Sequence, residues 1–342
     1  MEHSAPNQRA LSPNIPALPN LWKMSHMRTW GMDDDTTVSD MDGSLVNPTW
    51  ERVPFEEAIS EERLLKTCFD ELSPPQQVIL KAYYGLSLTA EELPLWSMVQ
   101  GGGTFDYLGY LVETIHKPYT PREYEELWAI LGRRSGKSDK VSATIFAYES
   151  LLGGHTRFIG IKQRCVMFWV SKKLEFAKKE ELIFVKSAIE SSPLLAKCIV
   201  DANAFGIKLS NGVEIEPAVP KIDSFRGPAI PAINFDEVGF WYKDAESAHP
   251  DFEVERAVSP AMAQFPNRKR FGTTTPYTKE GIAFRAHEAG TLGEKLKDEY
   301  RKKRFANTLV VECPTPAMGS LQKAMRSERE AKEWFETEYA KD

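Results

Sequence analysis

The chain has 342 residues, of which 42% are hydrophobic and 27% charged, the make-up of a soluble globular protein and too polar for a fibrous or membrane class. Its 43 Lys and Arg stand against 49 Asp and Glu, a net charge of −6, which excludes a surface coated in basic residues for nucleic acid but leaves room for a local basic patch. No apolar run reaches the ~18 residues of a membrane span, the N-terminus lacks a signal-peptide core, and four scattered cysteines without a C-x-x-C pair imply buried thiols in an intracellular protein.

Residues 1–50 are rich in Pro, Asn, Ser and Asp ("SAPNQRALSPNIPALPN", "MDDDTTVSDMDGS") with no sustained apolar period, which predicts a flexible arm. From Glu51 the pattern turns helical. "FEEAISEERLLKTCFDEL" and "SPPQQVILKAYYGLSL" space apolar residues by three and four, with Ser73 placed to cap a helix before Pro74. Residues 51–125 are expected to form a helical segment, broken by the glycines at 101–103, with "KPYTPREYEE" as the loop leading on. From Glu126, apolar strand-like runs alternate with helical ones: "LWAIL", "CVMFWV", "AIPAINF", "KRFGTT" and "TLVVEC". Such strands predict an α/β fold with a mainly parallel sheet covered on both faces. Asn211-Gly212, between two alternating runs, predicts a two-residue hairpin turn, and the last 25 residues predict an amphipathic helix.

Three segments carry chemistry. In "LWAILGRRSGKSDKV" a strand runs through Gly132, Arg133, Arg134, Ser135 and Gly136 into Lys137-Ser138 and a helix, the context of a phosphate-binding loop. Glycines let backbone amides turn toward phosphate, the helix N-terminus adds its dipole, Lys137 reaches the β- and γ-phosphates, and Ser138 offers a hydroxyl to magnesium. The general pattern G-x-x-x-x-G-K-[ST] has Leu131 at its first place, with Gly132 one position late. About a hundred residues on, "PAIPAINFDEV" ends a strand in Asp236-Glu237, either a solvated cap or a Walker B pair, in which one carboxylate holds magnesium and the next deprotonates an attacking water. One strand later, Thr273-Thr274-Thr275-Pro276 puts hydroxyls at the same sheet edge, or simply closes a β-rich strand. Strand ends of an open α/β sheet share one crevice, so the three together point to a nucleotide hydrolase.

The order "LGRRSGKS", "FRGPAIPAINFDEV", "FGTTTP", with "LSPPQQVILKAYYG" upstream, resembles the ATPase part of the large terminase subunit, the DNA-packaging motor of tailed phages, from about Leu72 to the C-terminus. The resemblance implies a P-loop NTPase of the additional-strand catalytic-glutamate type. It assigns residues 51–125 to the lid and adenine site, 126–313 to the ATPase core and 314–342 to a linker or lid helix, with the family's nuclease domain absent and no DNA cleavage expected. It implies ATP and Mg2+ as ligands, with Glu237 as base, Arg133 as the cis γ-phosphate contact and Thr274, with Thr273 or Thr275 as neighbours, in the coupling motif. Ser138 and Asp236 would sit on magnesium, and Gln76 or Gln77 would contact adenine. Arg226 in "FRG" matches a family position that is either a phosphate contact or a salt bridge. Implied partners are double-stranded DNA, portal protein and procapsid, the small terminase subunit, and further copies of the chain in a ring, in the host cytoplasm and without a membrane. The alternatives are a DEAD-like helicase, for whose second motor domain the ~100 residues after Asp236 leave no space, and a nucleotide-binding assembly adaptor with little turnover. The basic runs "NRKR" (267–270) and "RKKR" (301–304) read as solvated faces or as DNA contacts.

Overall fold

The structure, a computed structural model, describes residues 51–106, 109–243, 250–277 and 279–319, together with Glu333 and Thr337. The arm at 1–50 and nearly all of the C-terminal helix expected from the sequence lie outside the described residues.

The N-terminal segment is less continuous than its periodicity predicts. It starts as α1 (Phe55–Ser60) and α2 (Lys66–Asp70), parted by a turn in which the Leu65 amide donates back to the Ala58 carbonyl, which lets Leu65 bury completely. Next, α3 (Pro74–Tyr83) opens with proline in the first turn, and the Gln76 side chain accepts the Ser73 amide proton at 2.8 Å, as a capping box requires. It stops at Tyr83 because Gly85 follows in the left-handed region at φ 75°. After α4 (Leu93–Val99) comes a small antiparallel hairpin, β1 (Gly103–Phe105) and β2 (Leu111–Thr114), where the sequence had suggested only helix and loop.

The core then alternates as expected: β3 (Glu126–Leu131), α5 (Ala143–Leu151), β4 (Cys165–Val170), α6 (Leu174–Phe176), α7 (Leu182–Glu190) and α8 (Pro193–Ala196). A meander of β5 (Ile199–Asn203), β6 (Gly206–Leu209) and β7 (Val213–Ala218) follows. The chain closes with β8 (Ala232–Asp236), α9 (Pro250–Met262), β9 (Lys269–Thr274), α10 (Gly281–Leu292), α11 (Glu299–Arg304) and β10 (Thr308–Cys313). The β6–β7 connection has three residues, Ser210 to Gly212, rather than two: pairing of Ile207 with Ile215 and Lys208 with Glu214 leaves Leu209 facing Val213. Gly212, at φ 85°, takes the left-handed position of that loop.

Eight strands form one sheet in the order β10-β3-β9-β8-β4-β7-β6-β5. The first six are mutually parallel, and β6 and β5 add an antiparallel edge. The strand bearing the glycine loop, β3, is separated from the strand ending in Asp236, β8, by β9, which is the additional strand of the expected class. Because successive strand residues face opposite ways, Leu127, Ala129 and Leu131 pack on one face with Met167 and Trp169, covered by α3, α5 and α7. Trp128, Val166, Phe168, Ile233 and Phe235 pack on the other, covered by α9 and α10. All four cysteines are free and buried, as expected. No helix among the described residues is long and apolar enough to cross a membrane.

The fit is tightest where Trp128 on β3 lies in register with Gly272 on β9. A Cβ at Gly272 would stand 2.2 Å from the indole ring, so the strand tolerates no side chain there. Gly272→Ala is expected to destabilise the fold by about 1–3 kcal/mol through overpacking, measured as a lower denaturation midpoint; an unchanged midpoint would show that Trp128 has room to move.

Candidate functional site

Register brings the carboxyl ends of five strands to one edge: Cys313 lies beside Leu131, Ile130 beside Thr274, Thr273 beside Asp236, and Phe235 beside Val170. Leu131 is simply the last, buried residue of β3, and the loop begins at Gly132, whose amide donates to the Cys313 carbonyl at 3.1 Å. Glycine is required at 132 by contact from behind, since a Cβ would lie 2.1 Å from Thr315 Oγ1.

Arg134 (φ 59°) and Gly136 (φ 75°) both adopt the left-handed region, on either side of the fully buried Ser135. Alternation of this kind builds the backbone concavity that receives anions. Lys137–Ser142 then form one wide π-helical turn in which the amides of Lys140 and Val141 both donate to the Gly136 carbonyl at 3.1 Å, before α5 takes over. The outer side of the loop is braced. Gln76 Nε2 donates to the Ser135 carbonyl at 2.7 Å, and Thr315 Oγ1 donates to the Arg133 carbonyl at 2.6 Å. The two braces meet where Ser73 Oγ donates to the Met318 carbonyl at 2.6 Å.

Opposite the loop, Asp236 is 3% exposed at the end of β8, and its Oδ1 accepts from Ser138 Oγ at 2.7 Å and Thr273 Oγ1 at 2.8 Å. Glu237, at φ 48°, turns the chain sharply; its amide donates to the Thr273 carbonyl at 2.7 Å, and its carboxylate receives the Thr275 amide at 3.0 Å. Lys137 Nζ lies 2.9 Å from Glu237 Oε1 and 3.1 Å from Thr275 Oγ1. A strained, multiply tied carboxylate beside a buried ammonium is an arrangement that surrounding structure must impose. Here β9 imposes it.

Several residues named from the sequence sit differently. Thr274 Oγ1 accepts from the Gly239 amide at 3.2 Å and donates to the Thr275 carbonyl at 3.1 Å, and it is its neighbours Thr273 and Thr275 that reach the carboxylates. Gln76 uses both ends of its amide on Ser73 and Ser135, and Gln77 donates to the carbonyls of Phe69 and Leu72, so both are structural braces in this arrangement. Arg226 forms an exposed ion pair with Asp223 at 3.3 Å, the salt-bridge alternative. The Arg133 side chain is exposed beside the loop.

Sequence reasoning missed Glu181, just ahead of α7. It is 1% exposed, and its Oε1 accepts a hydrogen bond from Ser171 Oγ just past the end of β4, while its Oε2 is buried without a hydrogen-bond partner. Burial, and then the charge of Asp236, push its carboxyl up to about 9. Asp236 is also raised, chiefly by burial, against the lowering effect of its two hydroxyl donors. The signal was present in phase: Glu181 falls on the buried stripe of Leu182, Val185 and Ile189, although "KKEE" reads as a solvated charge run. Among the described residues no group of three or more His, Cys, Asp and Glu could hold a metal ion. The Ser138 hydroxyl and Asp236 carboxylate are nevertheless hard oxygen donors in contact, the kind of partial set with which Mg2+ is satisfied when substrate phosphate and water complete it.

No protein-family model matches the sequence, and no curated protein does. Among solved structures, the chain is similar to the large terminase of bacteriophage HK97 (13% identity, 79% of this chain and 52% of that one, TM-score 0.40). It is also similar to the large terminase of a thermophilic bacteriophage (14% identity, 60% of this chain and 43% of that one, TM-score 0.38) and to the same protein in complex with ADP (14% identity, 62% and 44%, TM-score 0.39). The chain spans about half, or less, of the length of these terminases.

A carboxyl whose folded pKa is raised contributes stability that is full below its ordinary value of 4.5 and is lost as pH rises toward about 9. Glu181→Gln stays neutral throughout, so its melting temperature relative to the parent should climb as pH is raised from about 5 to 9; a pH-independent difference would show that burial does not hold the Glu181 carboxyl protonated.

Proposed function

We propose that the chain is the ATP-hydrolysing motor part of a phage terminase, driving double-stranded DNA into a procapsid. One observation carries the reading: Lys137 and Ser138 on the loop, Asp236 and Glu237 at the end of β8, and Thr273 and Thr275 at the end of β9 meet within hydrogen-bonding distance, although up to 138 residues separate them in the chain. A glycine loop with adjoining ammonium, hydroxyl and paired carboxylates is what phosphoryl transfer to water needs, because catalysis there is mostly positioning and charge stabilisation.

The loop from Gly132 to Gly136 and the Lys137 ammonium would bind the phosphates. Ser138 and Asp236 would hold Mg2+, whose contribution is to neutralise charge developing on the phosphoryl oxygens. A γ-phosphate competes with Glu237 for Lys137, and Glu237 Oε2 remains oriented by the Thr275 amide to take the proton of an attacking water. Arg133, exposed in the loop, would add positive charge from within the same chain. Thr273 binds Asp236 while Thr275 binds Glu237, so β9 senses both carboxylates and is the natural route from hydrolysis to movement. The portal protein, the small terminase subunit and a ring of copies docked on the procapsid in the host cytoplasm belong to this reading.

Glu237→Gln is expected to lower steady-state phosphate release by about 10²–10⁴-fold with little change in KM for ATP, while Lys137→Ala weakens nucleotide binding as well. Equal, negligible release by the parent and Glu237→Gln would overturn the motor in favour of a nucleotide-binding adaptor.

A further inference from the structure

The sheet has a second built end. In register at the amino side, Thr308 of β10 lies beside Glu126 of β3, which lies beside Arg270 of β9. These three residues floor a cavity of about 700 Å³ walled by α9, α10 and α11. At about 3.3 Å per residue, the six-residue strands set this cavity on the order of 20 Å from the loop that begins at Gly132.

Both basic runs of the sequence converge on it. Arg268 and Arg270 from the first, and Arg301, Lys303 and Arg304 from the second, line the same space, although some 30 residues part the runs in the chain. In a chain of net charge −6 the lining holds seven Arg and Lys against four Asp and Glu. Some of that charge is internal scaffolding. Arg304 Nη1 pairs with the buried Glu126 at 2.6 Å and its other nitrogens with Glu255, which also receives Arg270 at 3.3 Å; Arg268 pairs with Glu125, and Arg301 with Glu288 at 2.9 Å.

Three cations are left over, and each comes from a different helix. Arg256 of α9, Arg285 of α10 and Lys303 of α11 are exposed and form no ion pair among the described residues; Arg285 is held over the Phe252 ring at 4.4 Å. Tyr300, 81% exposed, stands at the same mouth. A single anion would be met by one or two convergent cations. Cations delivered by three separate helices around an open cleft instead match a polyanion with charge repeated along its length.

We propose that this amino-end cleft grips the phosphate backbone of duplex DNA through Arg256, Arg285 and Lys303, the Arg270–Arg304–Glu126–Glu255 network acting as the rigid frame that presents them. The proposal rests on the motor reading for its choice of polyanion and goes beyond it in assigning the gripping face. Contacts of this kind position the duplex without reading its sequence. The topology then joins grip to hydrolysis by one strand, since β9 carries Arg270 at the cleft and Thr273 at the carboxylates.

The test is fluorescence anisotropy of a labelled duplex of about 30 base pairs with the full chain over a salt series. Each lost phosphate contact reduces the slope of log K against log salt by about 0.9. The combined variant Arg256→Ala, Arg285→Ala, Lys303→Ala should therefore bind at least tenfold more weakly at low salt, with a slope shallower by about 2.7. Its charge-keeping counterpart, Arg256→Lys, Arg285→Lys, Lys303→Arg, should retain most of the binding, as should a distant variant with the same charge change, Lys162→Ala, Lys197→Ala, Lys208→Ala. Thermal melts of each variant separate lost contacts from lost folding. Equal binding by the cleft variant and the parent, equal weakening by the distant variant, or a parent that binds no duplex at low salt would each overturn the assignment. Displacement of DNA by millimolar inorganic phosphate would overturn the backbone reading in favour of a small-anion site. Because anisotropy needs no turnover, a chain that binds DNA here but hydrolyses no ATP would sink the motor and leave the cleft standing.

Discussion

Asp236 is the constraint from which the rest of the site follows. A carboxylate removed from water needs partners, and Asp236 draws one from each of two neighbouring elements: the Ser138 hydroxyl from the glycine loop and the Thr273 hydroxyl from β9. Each contact fixes a different part of the machinery relative to the end of β8. The loop cannot drift from the carboxylate, and β9 cannot slide past it, without leaving a buried charge uncompensated. That penalty is larger than the net worth of any one of the hydrogen bonds.

The larger pattern was legible from residues alone because it depends on periodicity. Strand runs such as "CVMFWV", "KRFGTT" and "TLVVEC" coincide with β4, β9 and β10, since short runs rich in β-branched and aromatic residues, set between helical stretches, suit the strands of a covered sheet. The placing of Lys137 and Ser138 after the loop that follows β3, and of Asp236 and Glu237 at the end of β8, follows from the same strand periodicity. What escaped depended on long-range contact. Nothing local distinguishes Thr275 from Thr274; a one-residue change of phase at the end of β9 decides which hydroxyl meets Lys137. Glu181 was hidden in a charge run, and the Gln76 amide is consumed by a capping interaction and a loop carbonyl that only the fold brings together. The break between α1 and α2 and the three-residue β6–β7 loop were likewise settled by packing and register rather than by propensity.

The two ends of the sheet are electrostatically distinct. At the carboxyl edge, acidic side chains are tied to hydroxyls and one ammonium; at the amino edge, arginines neutralise Glu126 and Glu255 and leave cations over. Between them runs a core in which Trp128 occupies the space a side chain at position 272 would need. Close packing of that sort transmits strain rather than absorbing it, and a single six-residue strand, β9, spans the distance between the two ends.

The turn from Thr315 to Met318 gives this stiffness an outlet. Thr315 holds the Arg133 carbonyl and Met318 is held by Ser73, so the polypeptide leaving β10 is knotted to the rear of the glycine loop and to the start of α3 by one hydroxyl each. A tug on the chain beyond Gly319 would therefore reach the loop before it reached any other part of the sheet, and a tightening of the loop would be felt first as a tension on that tether.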